Sequence, residues 1–166
     1  MKLIVGLGNP EEKYKLNRHN VGFTLLERLA GELGLSFKKN SKINGLVARG
    51  DSFVLLKPLT YMNRSGDAVS KALSFYKIDV ENLVVVHDDV DLKFGETKSK
   101  VGQAPAGHNG VEDIIEKLGT KEFQRVRVGV GRSTHREGVE SYVLSDFTED
   151  VLKTLRDVSL GKLIKD

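Results

Sequence analysis

Nothing in this chain can form a disulfide, because its 166 residues include no cysteine. The same absence removes a thiol nucleophile and a thiolate zinc site, and leaves the redox compartment open. Long apolar runs are also missing. The N-terminus, "MKLIVGLGNP", has an apolar run of five residues before Gly8-Asn9-Pro10. That is too short for a signal peptide or a membrane span, so the expectation is a cytoplasmic protein. Charge of one sign is scarce: 26 basic and 23 acidic residues leave a net +3, which by itself points to no partner. The distribution says more. Between Lys93 and Arg136 nine Lys/Arg face five Asp/Glu, a local excess of +4 that suggests a basic surface. No repeat, low-complexity tract or linker divides the chain, and its length suits one domain with a proper core.

What is present alternates. "KLIVGL" (2–7) reads as a strand buried on both faces. Val21, Leu25, Leu29 and Leu33 follow at helical spacing, with Gly34 as the stop. Residues 45–50 and 53–57 form a hairpin across Asp51-Ser52. Val69, Ala72, Leu73 and Tyr76 mark a second helix, and "LVVV" (83–86) a central strand. Residues 96–101 read as a polar edge strand, 111–118 as a short helix ending at Gly119, and 125–130 as a half-exposed strand. A last helix is expected over 148–165. The fold class is therefore α/β: a single domain with a twisted mixed, mostly parallel β-sheet flanked by α-helices.

Three helices in this reading start at or just after an asparagine: Asn20, Asn63 and Asn109. Capping alone explains each, since an Asn side chain accepts from free helix N–H groups. Together they suggest more. Helix N-termini that follow strands gather at the strands' carboxyl edge, where open α/β sheets bind ligands. Asn9 follows the first strand and Asp88 ends the central one, so Asn9, Asn20, Asn63, Asp88 and Asn109 could converge there, with His19 beside Asn20 in "NRHNVG". Neutral imidazole can take a proton from water, a carboxylate on its other nitrogen fixes the tautomer, and amides can polarise a carbonyl. "GxSxG" is absent, so direct attack by activated water is the simpler chemistry.

Other motifs compete. "GLGNPE" (6–11) follows a strand as a dinucleotide fingerprint should, but Glu11 stands where the third glycine belongs. "HDDVD" (87–91) offers oxygen and imidazole ligands, with His87, Asp89 and Asp91 on one side of a strand, yet no second ligand cluster supports a metal. His87 reads otherwise as a satisfied strand-end residue, and His108 as packing near the cap of Asn109. His135 reads as a solvated loop residue. Met62, between Tyr61 and Asn63, packs in the core or walls a substrate pocket.

"KLIVGLGNP" with "NRHNVG", then "KPLTYMNRSG", "VVVHDDVDL", "GHNGVEDII" and "FQRVRVGVGR" stand in this order from Met1 to about Phe147. The ordered set resembles the bacterial peptidyl-tRNA hydrolase family. The resemblance implies a monomeric, cytoplasmic enzyme with no cofactor and no membrane partner. It implies cleavage of the ester between a peptide and the terminal ribose of tRNA. By motif position His19 is the general base and Asp88 its orienting carboxylate, while Asn9 distinguishes a blocked aminoacyl group from a free amine. Asn63 and Asn109 hold the peptide backbone and the tRNA end. Tyr14, Tyr61 and Met62 shape the cleft, and Lys100 and Arg127 meet tRNA phosphates, which give affinity rather than sequence readout.

Two departures follow. The loop before "GHNG" reads "VGQAPAGHNG", so Gln103, Ala104 and Pro105 should stiffen it. The chain also ends at Asp166, earlier than the family leads one to expect, so the last helix is expected to be short. Two rivals remain in view at this point: a catalytically silent relative that only binds RNA or a protein, and a metal-dependent hydrolase built on "HDDVD".

Overall fold

Among the described residues, seven strands form one sheet in the order β2-β3-β4-β1-β5-β7-β6. The computed structural model describes residues 1–131 and 158–164. The strands are β1 (Lys2–Gly6), β2 (Lys38–Asn40), β3 (Gly45–Arg49), β4 (Phe53–Pro58), β5 (Leu83–Asp89), β6 (Thr97–Val101) and β7 (Gln124–Gly129). The helices are α1 (Val21–Glu32), α2 (Ser65–Tyr76) and α3 (Asn109–Leu118). The four inner strands β4, β1, β5 and β7 run parallel, and both flanks are antiparallel. The sheet is mixed and mostly parallel, as the alternation of strand and helix patterns required.

Inner strands are apolar because helices cover both of their faces. Leu25, Leu26 and Leu29 of α1 pack on Ile4, Leu55, Val84 and Val86. On the opposite face, Val69 and Leu73 of α2 and Val111 and Ile114 of α3 pack on Leu3, Val5, Leu56 and Val85. Each such side chain contributes about 1.5–3 kcal/mol on burial, so the two layers hold the inner strands in register. The carboxyl ends of β1 and β5 consequently lie side by side, with Gly6 opposite Val86.

Several expectations need correcting. β2, with the sequence "KKN", carries no apolar pattern and was invisible in the sequence. The run read as 83–86 continues to Asp89, because β7 pairs with it to Gly129. β7 is not half exposed: it lies between β5 and β6, and Arg125 is 1% exposed. Of the last helix expected over 148–165, residues 148–157 and 165 lie outside the described residues. Gly161–Ile164 forms a single 3-10 turn rather than an α-helix.

The asparagine caps are not caps either. Asn20 makes no side-chain bond to α1. Asn63 lies in a 3-10 turn, Met62–Arg64, and the free Gly66 N–H of α2 is met instead by Asp113 Oδ2 from α3 at 2.8 Å. Asn109 is the first residue of α3, and His108 caps it.

Candidate active site

The two strand ends open into a cleft of about 880 Å³. Asn9, Tyr14, His19, Tyr61, Met62 and Asn63 line it. So do His87, Asp88, His108, Asn109 and Arg127. Asn20 and Lys100 do not line it. Of the eleven residues given a catalytic, substrate or tRNA role from the sequence, nine therefore meet at one place.

His19 arrives there through a close backbone approach. It sits in a 3-10 turn, Arg18–Asn20, whose start is held by Asn17 Oδ1 accepting from the His19 N–H at 3.0 Å. Gly22 follows in the first turn of α1. A Cβ on Gly22 would stand 2.6 Å from both Leu7 N and Val86 O, and one on Gly6 would stand 2.4 Å from Gly22 O. Only hydrogen at both positions lets α1 enter directly over β1 and β5. That entry sets His19 against the end of β5.

There Asp88, 3% exposed, accepts from His19 Nδ1–H at 2.8 and 2.9 Å on its two oxygens. Oδ1 also accepts from His108 Nε2–H at 2.7 Å. Burial pushes the Asp88 carboxyl up, but the adjacent His108 and His19, with their hydrogen bonds, outweigh it and hold the group well below the ordinary carboxylate range. A permanent carboxylate therefore faces two imidazoles whose centroids are 4.9 Å apart.

The two rings differ in their second nitrogen. His108 Nδ1 accepts from Gly110 N–H at 3.1 Å and Val111 N–H at 3.3 Å. Its lone pair is used, which fixes the Nε2–H tautomer. Among the described residues nothing bonds His19 Nε2, and His19 lines the cleft. His19, Asp88 and His108 are also the one group among the described residues close enough to share a metal ion, with ligand atoms within 4.8 Å. The fit is poor. His108 could offer Nε2 only by moving its proton to Nδ1, against two helix N–H donors. The residues of the other metal candidate, His87, Asp89 and Asp91, do not form a group of ligand atoms close enough to share an ion among the described residues, and Asp89 accepts from Arg127 instead.

Amides complete the site. Asn9 Oδ1 accepts from Met62 N–H at 2.9 Å, so the amide is oriented with its NH₂ group left over, and Asn9 lines the cleft. Asn20 was expected to offer its amide to a substrate, but it does not line the cleft. Its Oδ1 accepts from Asn9 N–H and one Nδ2–H donates to Asn9 O, both at 2.8 Å, so the amide braces Asn9. Asn63 and Asn109 are exposed on the cleft walls. At the rim Tyr61 O–H donates to Glu11, and that bond, ahead of Lys13, holds the Glu11 carboxyl low.

The basic residues separate. Arg127 reaches the cleft but already donates to Asp89 Oδ2 at 3.2 Å. Lys100 lies exposed on edge strand β6, opposite Arg125. Arg125, which the sequence reading passed over, lies on Phe123 and donates to Lys121 O at 2.7 Å and Ala104 O at 3.4 Å, tying down the loop before His108. Its only sequence signal was an arginine at an alternation position of a strand then read as half exposed. His108 was also missed as a partner of Asp88. Its place directly before a helix start was legible, and its reach to β5 was not.

The family model described as "Peptidyl-tRNA hydrolase" matches residues 3–163. A peptidyl-tRNA hydrolase of Aliarcobacter butzleri is 44% identical over 158 residues, 95% of this chain and 86% of that protein. One of Geotalea uraniireducens is 47% identical over 154 residues, 90% of this chain and 80% of that protein. The crystal structure of peptidyl-tRNA hydrolase from Acinetobacter baumannii superposes with a TM-score of 0.87 at 37% identity, covering 94% of this chain and 81% of that one.

Proposed function

The chain belongs to the peptidyl-tRNA hydrolase family, and from that premise we propose how its cleft hydrolyses the ester between a peptide and the terminal ribose of tRNA. The observation that carries the reading is a histidine with one nitrogen held by a buried carboxylate and the other open to the cleft. His19 Nε2 takes a proton from a bound water as the oxygen attacks the ester carbonyl carbon. Asp88 holds the Nδ1–H tautomer and stabilises the imidazolium that forms. The Asn9 NH₂ group donates to the oxygen on which negative charge develops. When the tetrahedral intermediate collapses, the bond to the ribose oxygen breaks. His19 then returns the proton to that oxygen, leaving a peptide acid and a tRNA hydroxyl.

Asn63 and Asn109 hold the peptide backbone and the tRNA end, and Tyr14, Tyr61 and Met62 wall the first residue of the peptide. Arg127 and Lys100 meet phosphates, with Arg127 exchanging Asp89 for the ligand. The protein acts alone in the cytoplasm and without a cofactor. No helix among the described residues is long and apolar enough to cross a membrane.

The test is release of an N-acetylated amino acid from its tRNA by the parent and by His19→Ala, both in EDTA. Cleavage by the parent alone supports the assignment. Equal cleavage by both would sink the general base, loss of the parent's activity in EDTA would restore a metal, and binding without cleavage by either would favour the silent relative.

A further inference from the structure

A second concave surface lies away from the cleft, with a volume of about 760 Å³. It runs from the turn after α1, across β2 and β3, to the C-terminal end of α2. Lys38, Lys39, Lys42 and Arg49 line it, and no carboxylate does. Among the described residues none of these four cations forms an ion pair. The nearby Glu32 is turned to Arg28 at 3.7 Å. Two aromatics complete the lining. Phe75 is 48% exposed and stands edge-on to Tyr76 with centroids 4.9 Å apart. Arg49 lies 5.7 Å over the Tyr76 ring.

Four like charges with no carboxylate among them focus a positive potential on this groove, and the exposed ring beside them offers an apolar face to whatever that potential attracts. We propose that this groove binds a single-stranded stretch of RNA, with Lys38, Lys39, Lys42 and Arg49 on the phosphates and a base stacked on Phe75. A phosphate chain matches the unpaired cations, and a base matches the half-open ring held rigid by Tyr76. An acidic peptide would satisfy the charges and leave Phe75 without a purpose. The site is distinct from the catalytic one. β2 lies four strand spacings from β5, about 19 Å, and the aromatics come from the end of α2 remote from Asn63. The inference stands independently of the mechanism above.

The experiment is fluorescence anisotropy of a labelled oligouridylate of about eight nucleotides, within the span one such groove covers. It compares the parent protein, Lys38→Gln/Lys39→Gln/Lys42→Gln, Phe75→Ala, and Lys98→Gln/Lys100→Gln on the opposite sheet edge. The triple variant should flatten the slope of log affinity against log salt by about 2, at roughly 0.7 per lost phosphate contact. Phe75→Ala should weaken binding roughly ten- to hundredfold and leave that slope unchanged. Both should cleave N-acetylaminoacyl-tRNA at the parent rate, which separates this site from the cleft. Affinity unchanged in both groove variants, or lost only in Lys98→Gln/Lys100→Gln, would overturn the proposal. So would polyglutamate competing as well as RNA with no effect of Phe75→Ala, which would assign the groove to an acidic protein.

Discussion

Two turns bring a histidine to the same carboxylate and leave it in opposite states. The turn Arg18–Asn20 presents His19 with Nδ1 on Asp88 and Nε2 open. The turn before α3 presents His108 with Nε2 on Asp88 and Nδ1 under two helix N–H groups. His19 can therefore accept a proton from water, whereas His108 can accept one only by uncapping its helix. The positive end of α3 opposes that change as well. Residue type does not set the role here. The partner of the second nitrogen does: it leaves one ring able to take a proton and makes the other a brace for Asp88.

The sharpest test of the contrast is to remove each ring in turn. His19→Ala should lower kcat on the order of 10²–10⁴-fold, the range for a lost general base, with tRNA binding kept. A loss under tenfold in single-turnover assays would end the distinction. His108→Ala should cost less, on the order of 10–100-fold, as loss of an outer partner does. His108→Asn adds a finer cut. Asparagine restores the cap of α3 but is too short to keep the bond to Asp88, so stability should recover while kcat does not. Recovery of both would mean that His108 serves only the helix.

A third histidine extends the comparison. His87 is buried behind His108, centroids 4.7 Å apart, with Nδ1–H donated to Asp88 O. Burial first, then the neighbouring His108, pushes it down to about 3. Below about 6.5 the unfolded chain takes up a proton that folded His87 refuses. Its contribution to stability is therefore complete above that pH and is lost, at up to about 1.4 kcal/mol per unit, as the pH falls towards 3. Urea unfolding of the parent between pH 7 and 5 should show this slope, and His87→Asn should flatten it. Equal slopes would mean that His87 does not stay neutral.

How much of this was legible depended on periodicity and contact order. The apolar runs of β1 and β5 and the 3.6-residue spacing of α1 are local signals, and they led to the right sheet and the right edge. His19, Asp88 and Asn9 could be drawn together because helix starts and strand ends share that edge. β2 carried no apolar signal, and β7 was misjudged because alternation cannot report a neighbour such as β6. The asparagines misled for a similar reason. Asn20 spends its amide on Asn9, and α2 is met by Asp113 from another helix, both long-range choices that a capping preference does not encode. Gly22 in "NRHNVG" was the silent half of that motif. Its missing Cβ is what lets His19 reach β5.

The smallest effect concerns how the second turn is held. Ala106, two residues before His108, has φ 50, a left-handed value that costs a residue with a Cβ about 1 kcal/mol. Gly107 follows at φ 84, and His108 N–H donates to Pro105 O at 3.0 Å, so the chain is wound tightly as it enters α3. Proline in the loop, together with the bond from Arg125 to Ala104 O, supplies stiffness that glycine would not. Ala106→Gly relieves the strain and loosens the unfolded chain, two effects of opposite sign, so the net gain in stability should stay under about 1 kcal/mol. If His108 is fixed by its bonds to Asp88 and to α3, kcat should not change. A fall in kcat with rising stability would instead mean that the strained turn, and not the two bonds, sets the position of His108 against Asp88.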